Sequence, residues 1–164
     1  MAHNDALLTP YRLGRQSVYR AVEGLAQADA VWKPARHVKS IQETLIHLGG
    51  AERFWLTTLG RGTLDFPEDD GLDVAEAFLR AMQGVVEGHV AAADEAELVR
   101  AQTTERGELS LAWMVKRVTQ HMFYHLGTLV YLRACRQPDW HGDAGLRHWQ
   151  AAADAFSALI PAPD

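Results

Sequence analysis

The stretch SLAWMVKRVTQHMFYHLGTLVYLR, Ser110 to Arg133, decides how the rest of the chain reads. Leu111, Met114, Val118, Met122, Leu129 and Leu132 recur every three or four residues, the spacing of one helix face, and His121 and His125 fall within the same stripe. The two imidazoles therefore point inward. Positions four apart lie about 40° round a helix and about 6 Å along it, so side chains there can reach one ion from consecutive turns. Core histidines satisfied by ordinary hydrogen bonds give the same spacing, so the pair needs a third ligand before it reads as a metal site.

That ligand is sought in the preceding helices. Ser40 and Glu43 form a capping box, in which the serine hydroxyl takes the amide of Glu43 and the glutamate reaches back to the amide of Ser40. A helix starts there, with Ile41, Thr44, Leu45, Leu48, Trp55 and Leu59 as its buried stripe and Gly60 and Gly62 as its stop. His47 borders that stripe and is the candidate third ligand.

The first helix is read over Asp5 to Leu25, with Pro10 in its first turn and Leu8, Tyr11, Val18 and Val22 facing inward. Ala26 to Lys39 reads as a loop anchored by Trp32, since Pro34 biases Lys33 away from helix. The link from Arg61 to Leu72 carries Pro67 and the acidic run Glu68 to Asp70, a solvated segment rather than a cation site. Twelve residues extend to about 40 Å, longer than a twenty-residue helix at about 30 Å, so this link has the length to cross back along a bundle.

Asp73 with Glu76 is expected to cap the third helix, whose apolar face runs from Phe78 to Val90. His89 lies near that face and reads as a core-edge histidine, with Gly84 and Gly88 suggesting close backbone packing. Asp94 to Glu108 has few apolar residues and reads as a loop with at most a short turn of helix. The Ser110 helix follows and continues to Arg136. After Pro138, Gly142 to Leu159 reads as a short fifth helix bearing Leu146, Trp149, Ala153 and Phe156.

The expected architecture is all-α, a four-helix bundle with a short extra C-terminal helix, in one domain over residues 1–164. A net charge of −5 without a dense basic stretch argues against nucleic acid as a partner. No run of eighteen apolar residues and no basic-then-apolar leader occurs, so a cytoplasmic protein with no membrane association is expected. Cys135 is the only cysteine, so any metal must be held by nitrogen and oxygen, and the thiol itself has no catalytic partner in sight.

His47, His121 and His125 together form a three-imidazole set suited to a divalent transition metal (zinc, nickel, iron or copper) rather than magnesium or calcium. Arg117, one turn before His121, is a candidate for a substrate anion, Tyr124 for orienting a ligand, and Glu43 for a hydrogen bond to His47. Trp55 and Trp113 read as core or interface aromatics.

With Ser40-Ile41 opening SIQETLIHLGGAERFWL, and HMFYHLGTL late in the sequence, the chain resembles the DinB-like superfamily, also called the YfiT-like metal-dependent hydrolases, over nearly its whole length. The resemblance implies a four-helix bundle in up-down-down-up order, metal ligands at His47, His121 and His125, and a homodimer. It also relates the chain to enzymes using a low-molecular-weight thiol, such as mycothiol-dependent isomerases and bacillithiol transferases. Many relatives have Arg-Gly-Gln after the last histidine, where this chain has Leu126-Gly127-Thr128. The function so implied is a metal-dependent S-transferase or hydrolase acting on a small molecule. The alternative is a non-catalytic dimeric stress or binding protein with a structural or vestigial metal.

Overall fold

The computed structural model describes residues 2–140, 150–151 and 153–158. In chain order the elements are α1 (Ala2–Val22), α2 (Gln27–Ala30), α3 (Ile41–Thr58), α4 (Leu72–Ala92), α5 (Glu95–Val99), β1 (Gln102–Thr104), β2 (Gly107–Leu109) and α6 (Leu111–Arg136). The four long helices share a core of side chains such as Ile41, Leu45, Leu79, Met82, Met114 and Leu129, and the fold is an all-α bundle.

Hydrogen bonds between helix ends give the direction of each. The Arg133 guanidinium, near the end of α6, donates to the Ala21 carbonyl near the end of α1 at 2.9 Å, so these helices run parallel. Gln27 touches the beginnings of both α3 and α4: its Nε2 donates to Gln42 at 2.7 Å and its Oε1 accepts the Leu72 amide at 2.8 Å. At the far ends, Arg61 pairs with Glu97 at 2.8 Å, so α3 and α4 are also parallel. Asn4, at the start of α1, bonds the Val90 carbonyl at the end of α4 at 3.0 Å, which makes that pair antiparallel. The order is up-down-down-up, and the link after α3 returns along the bundle.

Helix α3 begins as its sequence dictates: the Ser40 hydroxyl accepts the Glu43 amide at 3.2 Å, and Glu43 Oε2 accepts the Ser40 amide at 2.9 Å. It ends at Gly60, which has φ +64°, with Gly60 bonded to Thr57 and Arg61 to Leu56, each at 2.9 Å.

Several local expectations are corrected. Helix α1 spans Ala2–Val22 rather than Asp5 to Leu25, so Pro10 lies inside it and removes one rung of its ladder. The expected Asp73 cap is not formed. Gly71 is the N-cap of α4, and the distant Gln27 side chain takes the Leu72 amide instead. Ala26 to Lys39 carries the one-turn α2, with Trp32 packed on the core as expected. The segment read as a loop, Asp94 to Glu108, holds α5 and most of an antiparallel hairpin that pairs Gln102 with Leu109 and Thr104 with Gly107. Three-residue strands are too short to show a period, but the threonines favour extended backbone and Gly107, at φ +102°, closes the turn. Gly84 and Gly88 face open space rather than a packed backbone. The close approaches are at Gly14, where an added Cβ would lie 2.5 Å from Met122 Cε, and at Gly49, where it would lie 2.6 Å from the Phe78 ring. Most of the expected fifth helix lies outside the described residues; 150–151 and 153–157 are helical, and the Phe156 ring meets Phe123 at 5.8 Å.

The buried stripe of α3 runs through Leu48, Glu52 and Leu56 rather than through Trp55, which is half-buried. Glu52 meets Arg15 of α1 across the bundle, both of them buried, and Tyr11 donates to Glu52 Oε1 at 2.8 Å. Burial works against the Arg15 cation, but Glu52, Tyr11 and Tyr19 together outweigh it and the guanidinium stays ionised; burial pushes the Glu52 carboxyl up, and Arg15 and the Tyr11 hydroxyl pull it back. Arg15 Nε and Nη1 and Glu52 Oε2 have no hydrogen-bond partner among the described residues. Such a pair fixes which faces of α1 and α3 meet more than it stabilises the fold.

Arg15→Met alone strands the Glu52 charge in the core and is expected to destabilise the protein by about 3–5 kcal/mol, whereas Arg15→Met with Glu52→Met recovers most of that loss. Urea unfolding of both variants tests this, and a double variant as unstable as the single one would refute it. A second expectation concerns acid. Burial opposes the Glu87 charge, but Arg12 at 2.7 Å and Gln83 at 2.8 Å hold its pKa below the ordinary value of 4.5. Its contribution is complete above that value and is lost as pH falls through the depressed folded value. Unfolding curves of wild type and Glu87→Gln should therefore differ at pH 7 and converge in acid; a gap independent of pH would sink the assignment.

Candidate metal centre

Antiparallel packing of α3 and α6 brings His47 opposite the His121–His125 pair. The α6 register follows from its own cap, the Ser110 hydroxyl accepting the Trp113 amide at 3.1 Å. Ring centroids of His47 lie 4.9 Å from His121 and 4.8 Å from His125, and those of His121 and His125 are 4.5 Å apart. One candidate ligand atom from each imidazole lies within 4.8 Å of the other two, so the set could hold a metal ion.

Two features fit an ion here. The Nε2 atoms of His121 and His125 face each other at 3.0 Å, a separation compatible with two zinc–nitrogen bonds of about 2.0–2.1 Å to one centre. All three rings are also held neutral, the state that offers a lone pair. Burial pushes His121 down to about 4, helped by His125, His47 and Arg117; burial with His47 and Lys39 pushes His125 down to about 4; burial and then Lys39 lower His47. His125 Nδ1 is buried without a hydrogen-bond partner among the described residues, so nothing there fixes that ring from behind.

A cleft of about 790 Å³ opens beside the histidines, with His47 and His121 in its wall. Arg117 lines it, as does Trp55, whose ring meets the partly exposed Trp113 edge-on at 5.1 Å. Tyr124 packs its edge on His125 at 5.0 Å, but its side chain is mostly exposed. Glu43 is taken by Lys33 at 2.6 Å and by its capping box, which lower its pKa, and no hydrogen bond joins it to His47. His89 stands apart from the set, its Nε2 at 2.7 Å from the Gly62 carbonyl. Cys135 is an exposed free thiol, and Leu126 is buried in the core. Residues overlooked in the sequence are the cations that precede α3, Lys33, Arg36 and Lys39, together with the aromatics Phe54 and Phe66, all of which line the cleft. The signal was available: KPARHVK packs four basic side chains, one of them His37, into seven residues directly ahead of the capping box.

No helix among the described residues is long and apolar enough to cross a membrane. None of the curated proteins matches the chain. The sequence profile of the DinB superfamily matches residues 11–129, which include α3 and all three histidines. With more than half of its length so matched, and with the bundle described above, the chain belongs to the DinB superfamily.

Proposed function

We propose that the chain is a metal-dependent enzyme whose ion is held by His47, His121 and His125, and that it catalyses thiol-dependent group transfer or hydrolysis on a small molecule. The observation that carries this reading is the convergence of three neutral imidazoles, from two facing helices, beside a cleft large enough for a substrate. Three protein ligands leave a further position for water or substrate, the pattern of a catalytic rather than a bracing site. His47, His121 and His125 would hold a zinc, nickel or iron ion, which would lower the pKa of a bound water or thiol and so supply a nucleophile at neutral pH. The chain's own part is to keep the imidazoles neutral, to orient them from rigid helices and to seat the substrate in the cleft. A homodimer is proposed with it, and the exposed Tyr124 and Tyr131, two turns apart on α6, offer an apolar face for the second copy.

Elemental analysis of chelator-free protein should find about one transition-metal ion per chain, and little in His47→Ala prepared in parallel. Reloading at a hundred times the dissociation constant should stabilise the native protein by about 2.7 kcal/mol. Metal retained equally by the variant, or taken up by neither protein, would defeat the assignment. Metal-loaded protein inactive with a panel of thiols, electrophiles and hydrolysable esters would leave the non-catalytic binding reading in its place. For the dimer, light scattering is expected to give twice the chain mass, and a monomer at micromolar concentration would dismiss it.

A further inference from the structure

The cleft beside the histidines has the opposite charge to the chain that builds it. The whole sequence carries −5, yet Lys33, Arg36, Lys39 and Arg117 line the cleft against two carboxylates, Glu43 and Asp70. Among the described residues, only Lys33 of these cations is neutralised at short range, by Glu43 at 2.6 Å. Arg117 has a single long hydrogen bond, to Gln120 at 3.4 Å, and Lys39 touches Glu43 only through its longer-range field.

Lys39 immediately precedes the cap of α3, and Arg117 lies one turn before His121 on α6. The two cations therefore enter from the two helices that carry the histidines. Like charges gathered in a concave, partly apolar site repel one another and raise the local concentration of anions. Beside His37, Gln42 and the metal-site histidines, the rest of the wall is apolar and largely aromatic. Phe54 and Phe66 remain 41% and 49% exposed, and Phe66 is backed by Phe78 at 5.7 Å. Trp55 is held edge-on by Trp113. Aromatic surface exposed inside a cleft, next to unpaired cations, matches a ligand with an apolar body and a charged end.

We propose that the cleft takes a small amphipathic anion, a carboxylate or phosphate on a flat apolar body, with its charged end on Lys39 and Arg117 and its body against Phe54, Trp55 and Phe66. This deepens the enzymatic reading by naming the class of molecule presented to the histidines, and it rests on that reading only for the ion's presence beside the ligand.

Titration calorimetry with 2-naphthoate, 2-naphthyl phosphate and the uncharged 2-naphthamide, on native and on chelated protein, tests it. At least one of the anions is expected to bind about tenfold tighter than the amide, and the tighter one identifies the charged group. Lys39→Gln and Arg117→Gln should each weaken that anion by about fivefold, leaving amide binding and metal content unchanged, with the preference shrinking as salt rises. Equal binding of anions and amide would overturn the proposal. So would an anion preference that vanishes on chelation and ignores both substitutions, because the ion alone would then be reading the charge. If native protein proves metal-free, its two arms coincide and the preference still stands or falls on the two cations, so failure of the metal reading is separable from failure of this one.

Discussion

The parallel course of α3 and α4 is the constraint from which the site follows. Two consecutive helices in that arrangement cannot be joined by a tight turn, so the segment between Leu59 and Leu72 must travel back along an eighteen-residue helix, about 27 Å. On the way Phe66 is laid against Phe78 and over Gly50, and becomes part of the cleft wall. The same arrangement makes α6, rather than α4, the antiparallel neighbour of the histidine face of α3. Had α3 and α4 formed an ordinary helical hairpin, the link would be short and the cleft would lose that wall.

What could be read beforehand was what local chemistry controls. The Ser40 and Ser110 caps set the phase of α3 and α6, and a four-residue step between His121 and His125 puts both imidazoles on one side of α6 whatever the rest of the chain does. Capping of α4 was misread because its amide is satisfied from Gln27, forty-five residues away, and no local pattern can announce a partner at that distance. The hairpin of β1 and β2 was missed for a different reason: with three residues a side there is no alternation to detect, and only the threonines and Gly107 hint at it. The Arg15–Glu52 pair was legible in principle. Each charge falls in phase with its apolar stripe, Arg15 between Tyr11 and Val18 and Glu52 between Leu48 and Leu56, and two such interruptions of opposite sign invite pairing.

Those two charges also clarify the site by contrast. Glu52 is five residues beyond His47, which turns it about 140° around α3. It therefore faces α1 across the core while His47 faces α6. Its carboxylate is sealed, and bonded to Arg15 and Tyr11, so it offers neither a ligand atom to the imidazoles nor a base to a substrate in the cleft. The two polar intrusions into the bundle thus do different work, one setting the pairing of diagonal helices and the other presenting nitrogen lone pairs at an open edge.

Electrostatics near that edge act in one direction. Lys39 and Arg117 disfavour protonation of the histidines they face, which adds to the effect of partial burial and keeps the rings neutral. The same positive field that frees the imidazole lone pairs also favours an anion in the cleft. A cation bound by the histidines would be repelled by these two side chains, and an anionic ligand between them would relieve that repulsion. Metal and anion are then expected to bind with positive coupling, each raising the affinity of the other by the same factor. The arrangement is consistent only if the cations stay free of carboxylates of their own, and Lys33, which is paired with Glu43, is the cation of the cleft that does not.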